Sequence, residues 1–180
     1  MVSLDSPKKE EIEEMRQTFS IIDTRDQILQ SMAYQRTGPI AASELYSFAK
    51  GDKTNVLQIK KALLRSPEMR KILKQFLEMS AIYFIPQAIA AGSTKYPHRQ
   101  IEGCAAKLEV SRSEKNIIFL VIQLEKGHIP PLKMSVMSPN GQFEEITLPS
   151  PRQNTIQVSL NSESPIPMMW EDPKTTISFH

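Results

Sequence analysis

Three histidines, His98, His128 and His180, and one cysteine, Cys104, are the only side chains of this sequence with the chemistry of a nucleophile, a neutral-pH base or a soft metal ligand. A thiolate–imidazole pair needs a structural element that aims one group at the other. His98 and Cys104 flank a connecting stretch with no such element, and His180 stands at the far end of the sequence. No two histidines have the i, i+4 spacing that presents both from one helix face, and one cysteine makes neither an intrachain disulfide nor a multi-cysteine metal cluster. The paired acids Glu144-Glu145 and Glu171-Asp172 lie on strands or beside turns. Adjacent strand side chains point to opposite faces, so neither makes an acid/base couple, and both read as solvated. The six glycines are isolated, so no phosphate-cradling loop is present. No catalytic residue, metal or cofactor is expected, and the chain reads as a non-enzyme.

What remains is charge and apolar patterning. The net charge is +2, too balanced by itself to imply nucleic acid or an anionic membrane. Its distribution is uneven: residues 1–40 carry five basic and seven acidic side chains, 41–104 ten and five, and 105–180 seven and eight. The surplus is Lys50, Lys53, Lys60, Lys61, Arg65, Arg70, Lys71 and Lys74, a basic face whose core is Lys60 to Lys74.

Those cations sit on a stretch organised as a helical hairpin. In Ala62 to Arg70, Ser66-Pro67 is a helix start signal, because the serine hydroxyl accepts an orphan N–H and proline has none to orphan. Val56, Ile59 and Leu63 recur at helical spacing on one arm, and Met69, Ile72, Leu73, Phe76, Ser80 and Tyr83 on the other, with the long arm running to Pro86. Before the hairpin, the pattern predicts helices from Pro7 to about Ser20, from Asp23 or Thr24 to Gly38, and from Ala42 to Lys50. The last of these has Leu45, Phe48 and Ala49 inward and Gly51 as its stop.

Residues 92–104 read as a linker. From Ala105 the period changes to two, through Leu108 and Val110, the buried run Ile117 to Leu124, and Leu132, Met134 and Val136. Ser138-Pro139-Asn140-Gly141 is a turn, and Phe143–Leu148, Thr155–Leu160 and Thr175–Phe179 complete the set, with Met168 to Trp170 as an optional extra strand. Trp170 reads as the plug of one end of the core. The expected fold class is α+β: an N-terminal α-helical bundle over 1–91, the linker 92–104, and a small antiparallel β-sandwich of immunoglobulin-like kind over 105–180 with no helix between its strands. The charged start of the chain lacks the apolar run of a signal peptide, and the longest apolar run, Ile117 to Ile122, is too short to span a bilayer. A cytoplasmic protein with no membrane partner is expected.

The segment Ala62-Leu63-Leu64-Arg65-Ser66-Pro67-Glu68-Met69-Arg70 resembles the zinc-associated anti-sigma domain family. There, a helix carries a His, and Cys-x-x-Cys opens the next helix, commonly with Pro-Glu between the cysteines and Arg after. Here Pro67, Glu68 and Arg70 match, while Ala62 stands in the His position and Ser66 and Met69 in the Cys positions. Glu44-Leu45, Phe48-Ala49, Lys50 and Gly51-Asp52 also resemble that family's short helix and turn, so the likeness spans about Ala41 to Phe76. Without thiolates and imidazole there is no zinc site and no zinc-based redox switch to carry over. The resemblance implies a helical unit that sequesters a bacterial sigma factor through apolar faces.

Two functional expectations follow. The first is a cytoplasmic regulator of transcription that binds a protein partner, a sigma factor in the anti-sigma reading, through Leu45, Phe48, Ile59, Leu63, Ile72 and Phe76 exposed by a mobile helical unit. The second is a DNA-binding regulator using the basic face of residues 54–74, with Lys60, Lys61, Arg65, Arg70, Lys71 and Lys74 on phosphates and only Asn55 and Gln58 placed to read bases.

Overall fold

The computed structural model describes residues 40–88 and 95–180. The two helices predicted over residues 7–38 lie outside them. The chain divides into two compact units, Met1–Glu44 and Leu45–His180. Helix α1, Ala42–Ala49, crosses from one to the other, and all other described elements belong to the second.

The hairpin forms where its signals stand. Helix α2 runs Val56–Arg65 and α3 runs Pro67–Ser80. Ser66 Oγ accepts from Met69 N at 3.3 Å and Pro67 occupies the first turn, so one residue ends α2 and caps α3. The long arm is shorter than its spacing suggests. It stops at Ser80, whose hydroxyl bonds back to the Phe76 carbonyl at 2.8 Å, and the chain leaves in extended conformation at Ala81. Tyr83–Ile85 is strand β1, not a last helical turn. An aromatic and β-branched run next to an open sheet gains more from pairing than from continuing a helix, and Ile82 N already donates to Phe179 O at 2.7 Å.

The remaining elements are β2 Arg99–Ile101, β3 Cys104–Val110, β4 Ile117–Leu124, β5 Lys133–Met137, β6 Phe143–Thr147, β7 Thr155–Asn161, helix α4 Pro165–Trp170 and β8 Thr176–Phe179. They form two four-stranded antiparallel sheets, ordered β1-β8-β5-β6 and β2-β3-β4-β7. Two expectations change here. The linker contributes β2, and Met168 to Trp170, an optional strand by sequence, ends a helix that does interrupt the strands. Pro165 and Pro167 cannot donate to a ladder but suit a first helical turn, which explains the difference.

One core cluster lies between the sheets. Cys104, Ala106, Leu108, Ile118, Leu120, Ile122 and Ile156 meet Tyr83, Ile85, Met134, Val136, Ile177 and Phe179, with Ile166, Met169 and Trp170 closing one end. Trp170 is fully buried, as expected of a plug, and its Nε1 donates to Pro97 O at 2.9 Å. The plug is tied down by Arg99, a buried cation. Its Nη1 donates to Pro173 O (2.8 Å) and Thr175 O (3.1 Å), and its Nη2 to Trp170 O (3.1 Å) and Asp172 O (2.8 Å). Carbonyls at the end of α4 thus find donors that the helix itself lacks. Burial lowers the Arg99 pKa to about 10, against the favourable charge of Asp172.

Candidate functional site

The six apolar residues expected to meet a partner, Leu45, Phe48, Ile59, Leu63, Ile72 and Phe76, are all buried. In this conformation they are not a surface. With Met69, Leu73 and Leu77 they are the inward-facing residues of the helices, outside the inter-sheet cluster. Phe48 packs on Phe143 of β6 with ring centroids 4.8 Å apart, and Tyr46 sits edge-on to Phe76 at 5.4 Å. Their burial has a simple cause. Helical spacing reveals which residues share a face, and an apolar face is covered by whatever the fold supplies first, here the helices' own partners and the outer side of the β1-β8-β5-β6 sheet.

The opposite face of α2 is open. Leu57 is 75% and Leu64 52% exposed. Seven residues apart, they lie two turns from one another on one line, about 10 Å along the axis. Successive residues turn by about 100°, which sets Lys60 on one side of this line and Lys61 and Arg65 on the other. The periodicity that marks Ile59 and Leu63 as inward marks Leu57 and Leu64 as outward, so the signal was present in the sequence. Periodicity alone does not say which of the two faces stays uncovered.

The basic face is not uniform either. Lys60 Nζ donates to both carboxylate oxygens of Glu144 at 3.2 Å, and Arg70 Nη1 donates to Leu63 O at 2.7 Å. Lys53 pairs with Glu145, which also lies 3.8 Å from Lys133. Glu144 and Glu145, expected to be solvated, therefore bind cations of the helical segment and of β5. Glu171 faces Lys95 at 3.4 Å. Lys61, Arg65, Lys71 and Lys74 have no charged partner among the described residues. On α2 itself, Leu57 and Leu64 with Lys61 and Arg65 make an apolar line bordered on one side by cations, while Lys71 and Lys74 belong to α3.

The residues singled out for reactive chemistry are dispersed. Cys104 is buried in the inter-sheet core, where desolvation raises its thiol pKa to about 12 and removes its thiolate character at neutral pH. His98 lies on the rim of a depression of about 190 Å³ on the outer side of the second sheet, with Gln100, Lys107 and Gln123. His128 stands 3.8 Å from Glu125. His180 lies between Ser80 O, 3.3 Å from Nδ1, and Ser178 Oγ, 3.1 Å from Nε2. With Nδ1 as the donor to the carbonyl, Nε2 accepts from the serine. A Ser–His contact is thereby formed, but Ser178 is fully buried, and no substrate reaches its oxygen without displacing the helices. Desolvation holds the His180 pKa below its ordinary value, opposed by the Ser80 carbonyl and by Glu145 and reinforced by Lys133.

Among the described residues no group of three or more His, Cys, Asp or Glu is placed to hold a metal ion, and no described helix is long and apolar enough to cross a membrane. At the three ligand positions of the anti-sigma resemblance stand Ala62, the capping Ser66 and the buried Met69. No family model, no curated protein and no solved structure matches the chain.

Proposed function

We propose that this chain is a non-enzymatic regulatory protein that binds a protein partner through its helical hairpin. The observation that carries this reading is the outward face of α2, where Leu57 and Leu64 are exposed in line and bordered by Lys61 and Arg65. Two leucines two turns apart are the anchors of a helix-in-groove or helix-on-helix contact. These cations favour a partner whose helix carries acidic residues beside its apolar stripe, and they speed encounter with it. In the anti-sigma resemblance such a partner is a sigma factor, met by the outer face of α2 instead of the six buried residues.

The test captures partners with the full chain in low and high salt, then titrates the purified partner by calorimetry. A protein that binds in high salt with a negative heat-capacity change, and that Leu57→Ser/Leu64→Ser releases, supports the reading. Binding that survives this double substitution overturns it.

The second reading, a DNA-binding regulator, draws on the cations that have no charged partner among the described residues, Lys61, Arg65, Lys71 and Lys74. It requires an affinity that falls steeply with salt, with a log–log slope of about −0.9 per phosphate contacted. Leu57→Ser/Leu64→Ser leaves such binding intact, whereas Lys61→Glu/Arg65→Glu removes it.

A further inference from the structure

Strand β7 is an outer strand of the second sheet, and one side of it is open over a definite stretch. Leu124 N donates to Asn154 O and Ser162 N to Asn116 O, each at 2.9 Å. With the register that pairs Ile118 with Leu160 and Leu120 with Val158, these bonds set the parity. Even-numbered residues of β7 exchange hydrogen bonds with β4, so the N–H and C=O groups of Thr155, Gln157, Ser159 and Asn161 point away from the sheet.

At Thr155 the open side is closed by the chain itself. Arg152 N donates to Thr155 O at 2.8 Å and Thr155 N to Arg152 O at 2.9 Å, across Gln153 and Asn154 with φ of 49° and 62°, as in a tight two-residue hairpin. This bridge is isolated. Asn161 O is taken by Ser164 N at 3.0 Å and Ser164 Oγ at 2.7 Å. What faces outward with no strand beside it, among the described residues, is the N–H and C=O of Gln157, the N–H and C=O of Ser159, and the N–H of Asn161.

Sheet edges are normally blunted by charge, proline, shortness or cover. The other three outer strands follow that rule. β1 and β2 have three residues each, and β6 carries Glu144 and Glu145 under lysines. β7 has seven residues, Thr-Ile-Gln-Val-Ser-Leu-Asn, with no charge and no proline. On its inner side Val158 and Leu160 are only partly buried at the rim of the core.

We propose that this edge pairs with a second copy of the chain, the two β7 strands running antiparallel about a two-fold axis at Ser159 and joining two four-stranded sheets into one of eight. Parity allows only registers that set odd-numbered residues opposite odd-numbered ones. An axis at Val158 places Asn161 of the second copy opposite Thr155, where Arg152 already sits, and an axis at Leu160 leaves Gln157 unpaired. The axis at Ser159 sets Ser159 against itself, Gln157 opposite Asn161 of the second copy, where Asn161 N–H donates to Gln157 O while Asn161 O stays with Ser164, and Val158 against its Leu160. Hydroxyl meets hydroxyl, amide meets amide and apolar meets apolar, with no charge to repel. This self-complementarity selects a second copy as the occupant over an unrelated strand. One strand pair is a small interface, so the dimer is a reversible one. The surface is separate from the outer face of α2 and does not depend on it.

The test uses the full chain. In Ser159→Cys the two thiols lie on opposed residues with Cα atoms about 5.5 Å apart, within disulfide reach. Mild oxidation is expected to give a covalent dimer far faster than Ser113→Cys, an exposed control on the β3–β4 loop. By sedimentation velocity the natural chain is expected to pass from monomer to dimer as concentration rises. Ser159→Lys, which sets two ammonium groups face to face on an exposed strand, is expected to weaken that association at least tenfold. A natural chain that stays monomeric throughout overturns the proposal, as does crosslinking no faster than the control or a dimer that Ser159→Lys leaves unchanged.

Discussion

Arg70 Nη1 donates to the Leu63 carbonyl at 2.7 Å, so the first turn of α3 reaches back to cap the last turn of α2. A side chain that belongs by sequence to a basic surface is therefore spent inside the hairpin, on a carbonyl that the end of a helix leaves unbonded.

Arg70→Met keeps much of the packing and removes the donor. It is expected to lower stability by about 1.5–3 kcal/mol, the range for hydrogen bonds to charged groups, with no effect on partner or nucleic-acid binding at temperatures where the variant is folded. A denaturant midpoint checks the first part and calorimetry the second. The same carbonyl limits Gly141, in the turn before β6. Its φ is +91° and a Cβ there collides with Leu63 O, so Gly141→Ala should be destabilising as well.

Leu63 and Leu64 are neighbours with opposite consequences. Leu63 is fully buried and Leu64 half exposed. Leu63→Asp places an unpaired carboxylate in the helical core and is expected to cost more than about 4 kcal/mol. Leu64→Asp is expected to change stability by less than about 0.5 kcal/mol while weakening partner binding at least tenfold. Thermal melts beside titrations separate the two. Equal losses of stability would remove the distinction between the inner and outer faces of α2.

Arg99→Lys is not a conservative change. An ammonium group cannot reproduce a planar fork that spans the carbonyls of Trp170, Asp172, Pro173 and Thr175. A loss on the order of 3 kcal/mol is expected from acceptors left unbonded. The fluorescence of Trp170, the sole tryptophan, reports whether the plug has loosened. An unchanged melting point and emission maximum would show that the carbonyls find other donors.

His180 makes stability depend on pH. Its folded pKa lies below its ordinary value because burial disfavours the imidazolium. Below about pH 6.5 the unfolded chain therefore binds a proton that the folded chain does not. Its contribution is fully present above that pH and is lost as pH falls toward the folded pKa. The melting point is expected to drop on acidification through this window, and His180→Gln to flatten that part of the curve. A profile that the substitution leaves unaltered would assign the dependence to other groups.

Much of the hairpin is determined by the sequence alone, because its signals are local. Ser66 and Pro67 act within one turn of their own position, and the spacing of Ile59, Leu63, Met69, Ile72 and Phe76 sorts an inward stripe from the rest. The same locality governs Ser138 to Gly141, where Gly141 N donates to Ser138 O at 3.0 Å, and the alternation of β3, β4 and β5. Tertiary structure alone decided what covers each stripe and which backbone groups find partners. Tyr83 fits the helical period of α3 but joins β8, since the sheet's open edge is contributed by residues nearly a hundred positions away. Arg99 lies in a stretch that reads as linker and becomes the most heavily bonded cation of the core, because the carbonyls it serves belong to α4 and the turn after it. Leu57 and Leu64 are open and Phe48 is closed for the same reason. Burial is a property of neighbours brought together by folding, and periodicity along one element does not name them.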